Sequence, residues 1–210
     1  MGNFKRVFFS KLENPHLCCS CADPFNSVDF RDYSIYHCPG VMNNGMFHGG
    51  VALLIKNIFA HKHIERNTSQ QAVAARIICF KSITVCSLCL PHIKMDKNDL
   101  EDLNNQLPLP IVLLGDFNTH SNDWGCLRND SKGKMISDLM LHRNLSLLND
   151  GSVTYLHSGS VSQSTIDLSI CDPSLYLDFS WKVHDDLCGS DHFPIIINNN
   201  PLWHGCAISN

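Results

Sequence analysis

Short apolar runs recur along the chain, and most of them have the length of β-strands. Residues 72–80 alternate in the manner of a half-buried strand, and residues 83–90 follow after a two-residue link, which predicts a β-hairpin. Continuous apolar runs at residues 51–56 and 111–114 predict two buried strands. Further strands are predicted at residues 145–148, 165–171, 179–184 and 193–197.

Two windows have the spacing of amphipathic helices. Residues 96–107 carry leucines at helical spacing and stop before Pro108. Residues 131–143 carry a second apolar stripe, and Asp130 or Ser131 is predicted to cap its N-terminus. Many strands with few helices predict an α+β fold in which packed sheets carry helices on the outside.

Composition and charge narrow the functional classes. The chain has 210 residues, is 44% hydrophobic and carries a formal net charge of −4. We therefore expect one domain over residues 1–200 and a frayed tail at 201–210, and we exclude a disordered or collagen-like chain. Because the chain has no net positive charge, any contact with nucleic acid must be local or metal-assisted. No apolar run reaches the roughly 18 residues of a transmembrane helix, so no membrane partner is expected.

Eleven cysteines and no secretory leader predict reduced thiols in an intracellular protein. Two groups have a spacing that zinc could use, one within residues 16–21 and one formed by Cys86 and Cys89. Side chains three residues apart on a strand point to opposite faces. Cys86 and Cys89 are therefore predicted to be separate core residues, with no shared metal.

Three acidic segments directly follow or end apolar runs and carry the candidate chemistry. They are LLGDFNTH (113–120), STIDLSI (164–170) and GSDHFPI (189–195). If the strand ends meet at one rim, Asp116, Asp167 and Asp191 offer the oxygen ligands that Mg²⁺ or Mn²⁺ prefers. Asn118 can donate to an oxyanion, and His192 titrates near neutral pH. These groups together suit the metal-assisted hydrolysis of a phosphodiester.

In this order, GGVALLIK, GDFNTHSNDWG, STIDLSICDPSL and HDDLCGSDHFPI resemble motifs of the endonuclease/exonuclease/phosphatase superfamily. More narrowly, they resemble the endonuclease domain of jockey-like non-LTR retrotransposons, over about residues 30–198. The resemblance implies a DNase I-like four-layer α/β-sandwich, with two mainly antiparallel sheets flanked by helices. It also implies nicking of target DNA with Mg²⁺ or Mn²⁺, in the nucleus, by an element whose reverse transcriptase domain is absent from these residues.

The same resemblance implies roles for individual residues. Asp116 would act on the attacking water or the leaving group, and Asn118 would orient the phosphate. Asp167 would pair with His192, which would contact the scissile phosphate. Asp191 would help to bind the metal. Two further positions, His120 and Ser164, are candidate substrate-binding residues.

The N-terminal part departs from the family pattern. The first strand of the family has no counterpart before Phe4, so it is expected to be missing, and residues 4–12 are expected to form the first helix. Ala22 stands, within one residue, where the family has its principal metal-binding Glu, which leaves Asp23 as a weak substitute. Cys89 replaces a Tyr that contacts phosphate in the family. These losses predict a truncated or degenerate domain with impaired activity.

Two alternatives stay open. The chain could be a non-catalytic remnant that keeps the fold and at most weak DNA binding, which the missing Glu and the negative charge favour. It could also be a phosphatase or an apurinic-type nuclease of the same superfamily, because these enzymes share the core residues. The GDFNTHSNDWG form favours the mobile-element branch over that second alternative.

Overall fold

The computed structural model describes residues 5–8, 31–43, 46–90, 96–157 and 162–200. The strands, in chain order, are β1 Lys5–Phe8, β2 Tyr33–Cys38, β3 Val41–Asn43, β4 Met46–His48, β5 Val51–Lys56, β6 His61–Ile64, β7 Gln71–Ile78, β8 Ser82–Cys89, β9 Ile111–Asp116, β10 Ser146–Leu147, β11 Tyr155–Leu156, β12 Gln163–Ser164, β13 Asp167–Cys171, β14 Phe179–Val183 and β15 Ile195–Asn199. The helices are α1 Lys97–Asn105, α2 Ser131–His142 and α3 Pro173–Tyr176, and a 3₁₀ turn spans Asn122–Trp124.

A six-stranded sheet lies at the centre, in the order β10-β13-β9-β8-β7-β6. Strands β8 and β9 are parallel, and every other neighbouring pair in this sheet is antiparallel. The predicted hairpin is confirmed, because β7 and β8 pair from Gln71 opposite Cys89 to Ile78 opposite Ser82. This topology brings the C-terminal ends of β8 and β9 and the beginning of β13 to one edge of the sheet.

Both faces of the central sheet are buried. On one face, an apolar cluster joins the sheet to Leu100 and Leu103 of α1 and to Ile136 of α2. On the other face, a second cluster joins the sheet to Leu53 of β5 and Ile197 of β15. Continuous burial on both faces explains why the sequence of β9 is apolar without alternation.

The second layer of strands consists of β2 paired with β5, and of β15 lying between β1 and β14. All of these pairs are antiparallel. The described residues thus supply a helix layer, a central sheet and a second strand layer of the predicted sandwich. The predicted α+β class, with mainly antiparallel sheets, is confirmed.

The N-terminal segment corrects one prediction. Residues 4–12 were expected to be helical, but Lys5–Phe8 form β1, which pairs antiparallel with β15 from Lys5 opposite Asn198 to Phe8 opposite Ile195. Helix propensity is a weak preference, and pairing along a neighbouring strand overrides it. The family strand that the sequence analysis expects to be missing would lie before Phe4. β1 lies after that position, and the sequence pattern does not predict it.

The two predicted amphipathic helices are confirmed as α1 and α2. Asp130 caps α2, because its carboxylate accepts a hydrogen bond from the N–H of Gly133 at 2.7 Å. A Cβ at Gly133 would lie only 2.1 Å from the backbone oxygen of His120. Glycine therefore lets the first turn of α2 approach the loop that follows β9.

The cysteines of β8 confirm the prediction for that strand. Cys86 packs in the cluster on the helix side of the sheet, and Cys89 packs in the cluster on the opposite side. Burial raises the pKa of the Cys86 thiol to about 12. All seven cysteines in the described ranges are free thiols, and residues 16–21 lie outside those ranges. Within the same ranges, no helix is long and apolar enough to span a membrane.

Candidate active site

Asp116 and Asp167 face each other at the edge of the central sheet where β8 and β9 end and β13 begins. They are directly opposed Cα partners on the antiparallel strands β9 and β13, and both are almost completely buried. Cys89 at the end of β8 is the partner of Asp116 on the other side. Three strand ends therefore place two carboxyl groups and a thiol in one row across the sheet.

Gly115 lets the end of β9 lie close to β8. Its φ is +149°, and a Cβ there would lie 1.8 Å from the backbone oxygen of Leu88. Any side chain at this position would push the two strands apart. Glycine at position 115 thus allows β9 to stay paired closely with β8 up to Asp116, the next residue.

Asn118 holds the carboxylate of Asp116 in place. The backbone N–H of Asn118 donates to Asp116 Oδ1 at 2.9 Å, and its Nδ2 donates to Asp116 Oδ2 at 2.8 Å. Nδ2 also donates to the backbone oxygen of Leu90 at 2.9 Å. Asn118 adopts a left-handed φ of +47°, which Asn tolerates better than most residues. The amide donors therefore orient Asp116 and anchor it to the end of β8.

Asp167 and His192 form a buried pair. The distance from His192 Nδ1 to Asp167 Oδ2 is 2.8 Å, and the side chains are 7% and 2% exposed. A carboxylate at Nδ1 favours the tautomer in which Nδ1 carries the proton. The structure thus brings together two residues that are 25 positions apart in the sequence.

Thr154 links the two segments that carry this pair. Its hydroxyl oxygen accepts hydrogen bonds from the N–H groups of Ile166 and Asp167, both at 3.1 Å. Its backbone oxygen accepts from the N–H of Phe193 at 2.8 Å. Sequence reasoning missed this residue, because nothing in the local pattern shows that a threonine before β11 contacts two distant segments.

A second group of polar side chains lies beside the first. Ser164 Oγ is 3.0 Å from His157 Nε2 and 3.4 Å from His120 Nε2. The Nη2 atom of Arg128 lies 3.5 Å from the same His120 nitrogen. The structure therefore brings together His120 and Ser164, the two candidate substrate-binding residues, and adds His157 and Arg128, which sequence reasoning missed.

Asp130 fixes His120 from the other side. Its Oδ2 accepts from the backbone N–H of His120 at 2.9 Å and lies 3.1 Å from His120 Nδ1. Burial acts to raise the pKa of Asp130. Hydrogen bonds from the Thr119 hydroxyl, the Gly133 N–H and His120 outweigh burial and lower that pKa below its ordinary value. Asp130 is thus a charged cap for α2 and a support for His120.

Tyr155 lies between the Asp167–His192 pair and the polar group that contains His157. Its ring centroid lies 4.5 Å from that of His192 and 4.7 Å from that of His157. Tyr155 and His157 are two residues apart on an extended segment, a spacing that puts both side chains on one face. That alternation is the sequence feature that could have identified His157.

Lys132 brings a cation to the Asp116 side of the site. Its Nζ donates to the backbone oxygen of Asn118 at 3.3 Å. Burial lowers the pKa of Lys132, and the neighbouring Asp130, Asp116 and Cys89 act to raise it. Sequence reasoning missed this residue because it sits in the first turn of a helix that was interpreted only as packing.

The predicted metal ligands are only partly described. Asp191 is partly exposed beside His192, and its backbone oxygen accepts from the N–H of Leu156 at 2.9 Å. Asp23 lies outside the described residues. Within the described ranges, no three His, Cys, Asp or Glu side chains form a group that could hold a metal. These described residues alone therefore do not fit a complete metal site.

Comparison with known families identifies the chain. Residues 83–196, more than half of it, match the family described as Endonuclease-reverse transcriptase. The chain belongs to this endonuclease–reverse transcriptase family. The matched residues include Asp116, Asn118, Asp167 and His192, which form the buried site.

Two curated relatives of this endonuclease–reverse transcriptase family member come from Drosophila melanogaster. The probable RNA-directed DNA polymerase from transposon X-element is 24% identical over 160 residues, which cover 74% of this chain and 18% of the relative. The RNA-directed DNA polymerase from mobile element jockey is 25% identical over 177 residues, which cover 81% and 19%. The chain spans about a fifth of the length of these relatives. The resemblance to endonuclease domains of jockey-like elements is thus confirmed.

Solved structures of other proteins share the fold of this chain, which confirms the predicted DNase I-like arrangement. The endonuclease domain of TRAS1, a telomere-specific non-LTR retrotransposon, has a TM-score of 0.65 at 20% identity and covers 79% of this chain and 80% of that one. The AP endonuclease LMAP from Leishmania major has a TM-score of 0.60 at 11% identity, with 81% and 71% covered. The catalytic domain of Xenopus laevis APE2 has a TM-score of 0.55 at 15% identity, with 79% and 75% covered.

Proposed function

We propose that this chain is a DNA endonuclease domain that hydrolyses a phosphodiester bond and nicks target DNA for retrotransposition. The observation that carries the proposal is the buried Asp167–His192 pair, whose Asp167 lies directly opposite Asp116 on the neighbouring strand. Two fixed carboxylates and one oriented imidazole meet the needs of hydrolysis at a phosphate. The reverse transcriptase domain belongs, in this proposal, to the longer protein of which these residues form about a fifth.

His192 acts at the scissile phosphate. With Nδ1 donating to Asp167, the protonated imidazole donates from Nε2 to a non-bridging phosphate oxygen as negative charge builds up. Asp167 stabilises the positive charge of the ring and fixes its orientation. Burial of both groups strengthens this interaction, because little water screens it.

Asp116 acts on the attacking water or the leaving group. Its carboxylate is held from two sides by Asn118, so it enters the reaction without a cost of reorientation. Asn118 thus orients the reacting groups through Asp116. His120 and Ser164 contact the DNA strand beside the site, where their side chains meet.

Mg²⁺ or Mn²⁺ is the proposed cofactor, with Asp191 and Asp23 as ligands. A divalent cation would offset the charge of the phosphate. Of these two proposed ligands, Asp191 lies within the described ranges and Asp23 lies outside them. Cys89 beside Asp116, in place of a phosphate-contacting Tyr, supports the proposal that activity is impaired. Nuclear localisation and a single domain over residues 1–200 stay predictions.

Nicking of supercoiled plasmid by the purified 210-residue chain tests this proposal. We expect slow conversion to the open circle with Mg²⁺ or Mn²⁺, loss of conversion with EDTA, and loss in Asp191→Ala. Nicking that persists in both would exclude the proposed metal and ligand. A folded chain that never nicks, even at high Mn²⁺, would instead support a non-catalytic remnant.

A further inference from the structure

We propose that His120, Arg128, His157 and Ser164, here called the rim cluster, form a second phosphate-binding subsite. The ligand is a backbone phosphate of the nicked DNA strand, next to the scissile phosphate at His192. The inference rests on the proposed function, because it names a further contact of the same substrate.

The donors of the rim cluster converge on a small region. Ser164 Oγ lies within 3.4 Å of both imidazole Nε2 atoms, and the guanidinium of Arg128 approaches the His120 nitrogen to 3.5 Å. A hydroxyl, two imidazoles and a guanidinium are all able to donate to phosphate oxygens. They belong to three separate segments of the chain, so the fold, and no single local motif, brings them together.

Asp130 prepares His120 for an anion. Its Oδ2 lies 3.1 Å from His120 Nδ1, so the other ring nitrogen, Nε2, points away from Asp130 and towards Ser164 and Arg128. The low pKa of Asp130 keeps its carboxylate charged at neutral pH. Arg128 is exposed, so its guanidinium is accessible to a phosphate.

The rim cluster lies next to the proposed reacting centre. One aromatic ring, that of Tyr155, contacts both His157 and His192. His157 is therefore separated from His192 by a single aromatic ring, and Ser164 is the strand-pairing partner of Tyr155. A strand that places one phosphate at His192 and continues along the rim would bring its next phosphate to the cluster.

Binding without cleavage tests the subsite. Fluorescence anisotropy of a labelled DNA duplex in EDTA would compare the wild type with Arg128→Ala and with His157→Phe, which keeps a ring against Tyr155. Arg143→Ala is the charge-matched control, because Arg143 is exposed at the other end of α2. We expect each rim variant to bind about tenfold more weakly and Arg128→Ala to lower the salt slope of log Kd by about 1. The control should show a smaller change in both.

Replacing single DNA phosphates by a neutral group then locates the phosphate that the rim cluster binds. In duplexes with a single methylphosphonate, one position beside the nick site should weaken binding by the wild type. The same position should have little effect on Arg128→Ala, because the contact is already lost. Equal losses in rim variants and control, no position-specific coupling, or no DNA binding would each overturn the subsite. Failure of nicking alone would reject the proposed activity and leave this binding result intact.

Discussion

The hydroxyl of Thr154 accepts a hydrogen bond from the backbone N–H of Asp167 at 3.1 Å, while the carbonyl of Thr154 accepts from Phe193. One residue thereby fixes the backbone on both sides of the Asp167–His192 pair. The side chains of those two residues approach to 2.8 Å. Thr154 is thus a positioning residue, since it acts on the site only through its neighbours.

Thr154→Val is expected to lower both stability and nicking. The substitution keeps the shape of the side chain but leaves two buried N–H groups without an acceptor, which costs about 1–3 kcal/mol for each group. Thr165→Val is the matched control, because that hydroxyl donates to Ser152 and does not contact Asp167. Urea denaturation and plasmid nicking at equal folded fraction would measure both effects. Equal losses in the two variants would show that Thr154 has no special role.

Asn118 allows its backbone and side-chain roles to be separated. Asn118→Gly tolerates the φ of +47°, whereas Asn118→Ala adds the strain of a left-handed residue, about 1 kcal/mol. Both variants lose the amide donors to Asp116 and Leu90. We therefore expect Asn118→Ala to be less stable than Asn118→Gly, with similar losses of nicking after correction for folding. If Asn118→Gly retained full nicking, the amide would not orient Asp116.

The sequence predicts the fold best where each element is determined by its own pattern. The β7–β8 hairpin, β9, α1 and α2 follow from alternation, continuous burial and helical spacing, and all agree with the structure. β1 does not, because its conformation is set by pairing with β15, almost two hundred residues away.

Some residues of the candidate site could be predicted from the sequence and others could not. Asp116 ends β9, Asp167 begins β13 and His192 precedes β15. All three belong to recognisable motifs, so their residue types and positions are visible in the sequence. Thr154 and Lys132 carry no motif. Their roles arise only when the loop before β11 and the first turn of α2 pack against the site.

Asp130→Ala is expected to destabilise the protein by about 1 kcal/mol, the usual effect of removing an N-cap. The pKa of Asp130 is lower in the folded protein than the ordinary value near 3.8. Its charged form therefore stabilises the fold above about pH 4, and this contribution is lost as the pH falls through the folded-state pKa. Urea denaturation at pH 7 and pH 3 should show a smaller penalty at pH 3. A penalty that does not change with pH would mean that the charge of Asp130 contributes nothing.

Lys132→Met is expected to reduce nicking about tenfold or more with little loss of stability. The half-buried ammonium lies beside Asp116 and Asn118, where it offsets the negative charge that an approaching phosphate brings. Lys134→Met is the matched control, because Lys134 is exposed two residues further along α2. Lys132→Arg keeps the charge and should retain part of the activity. Nicking rates at fixed Mg²⁺ would decide, since equal effects in Lys132→Met and Lys134→Met would assign the loss to overall charge and exclude a specific role of Lys132.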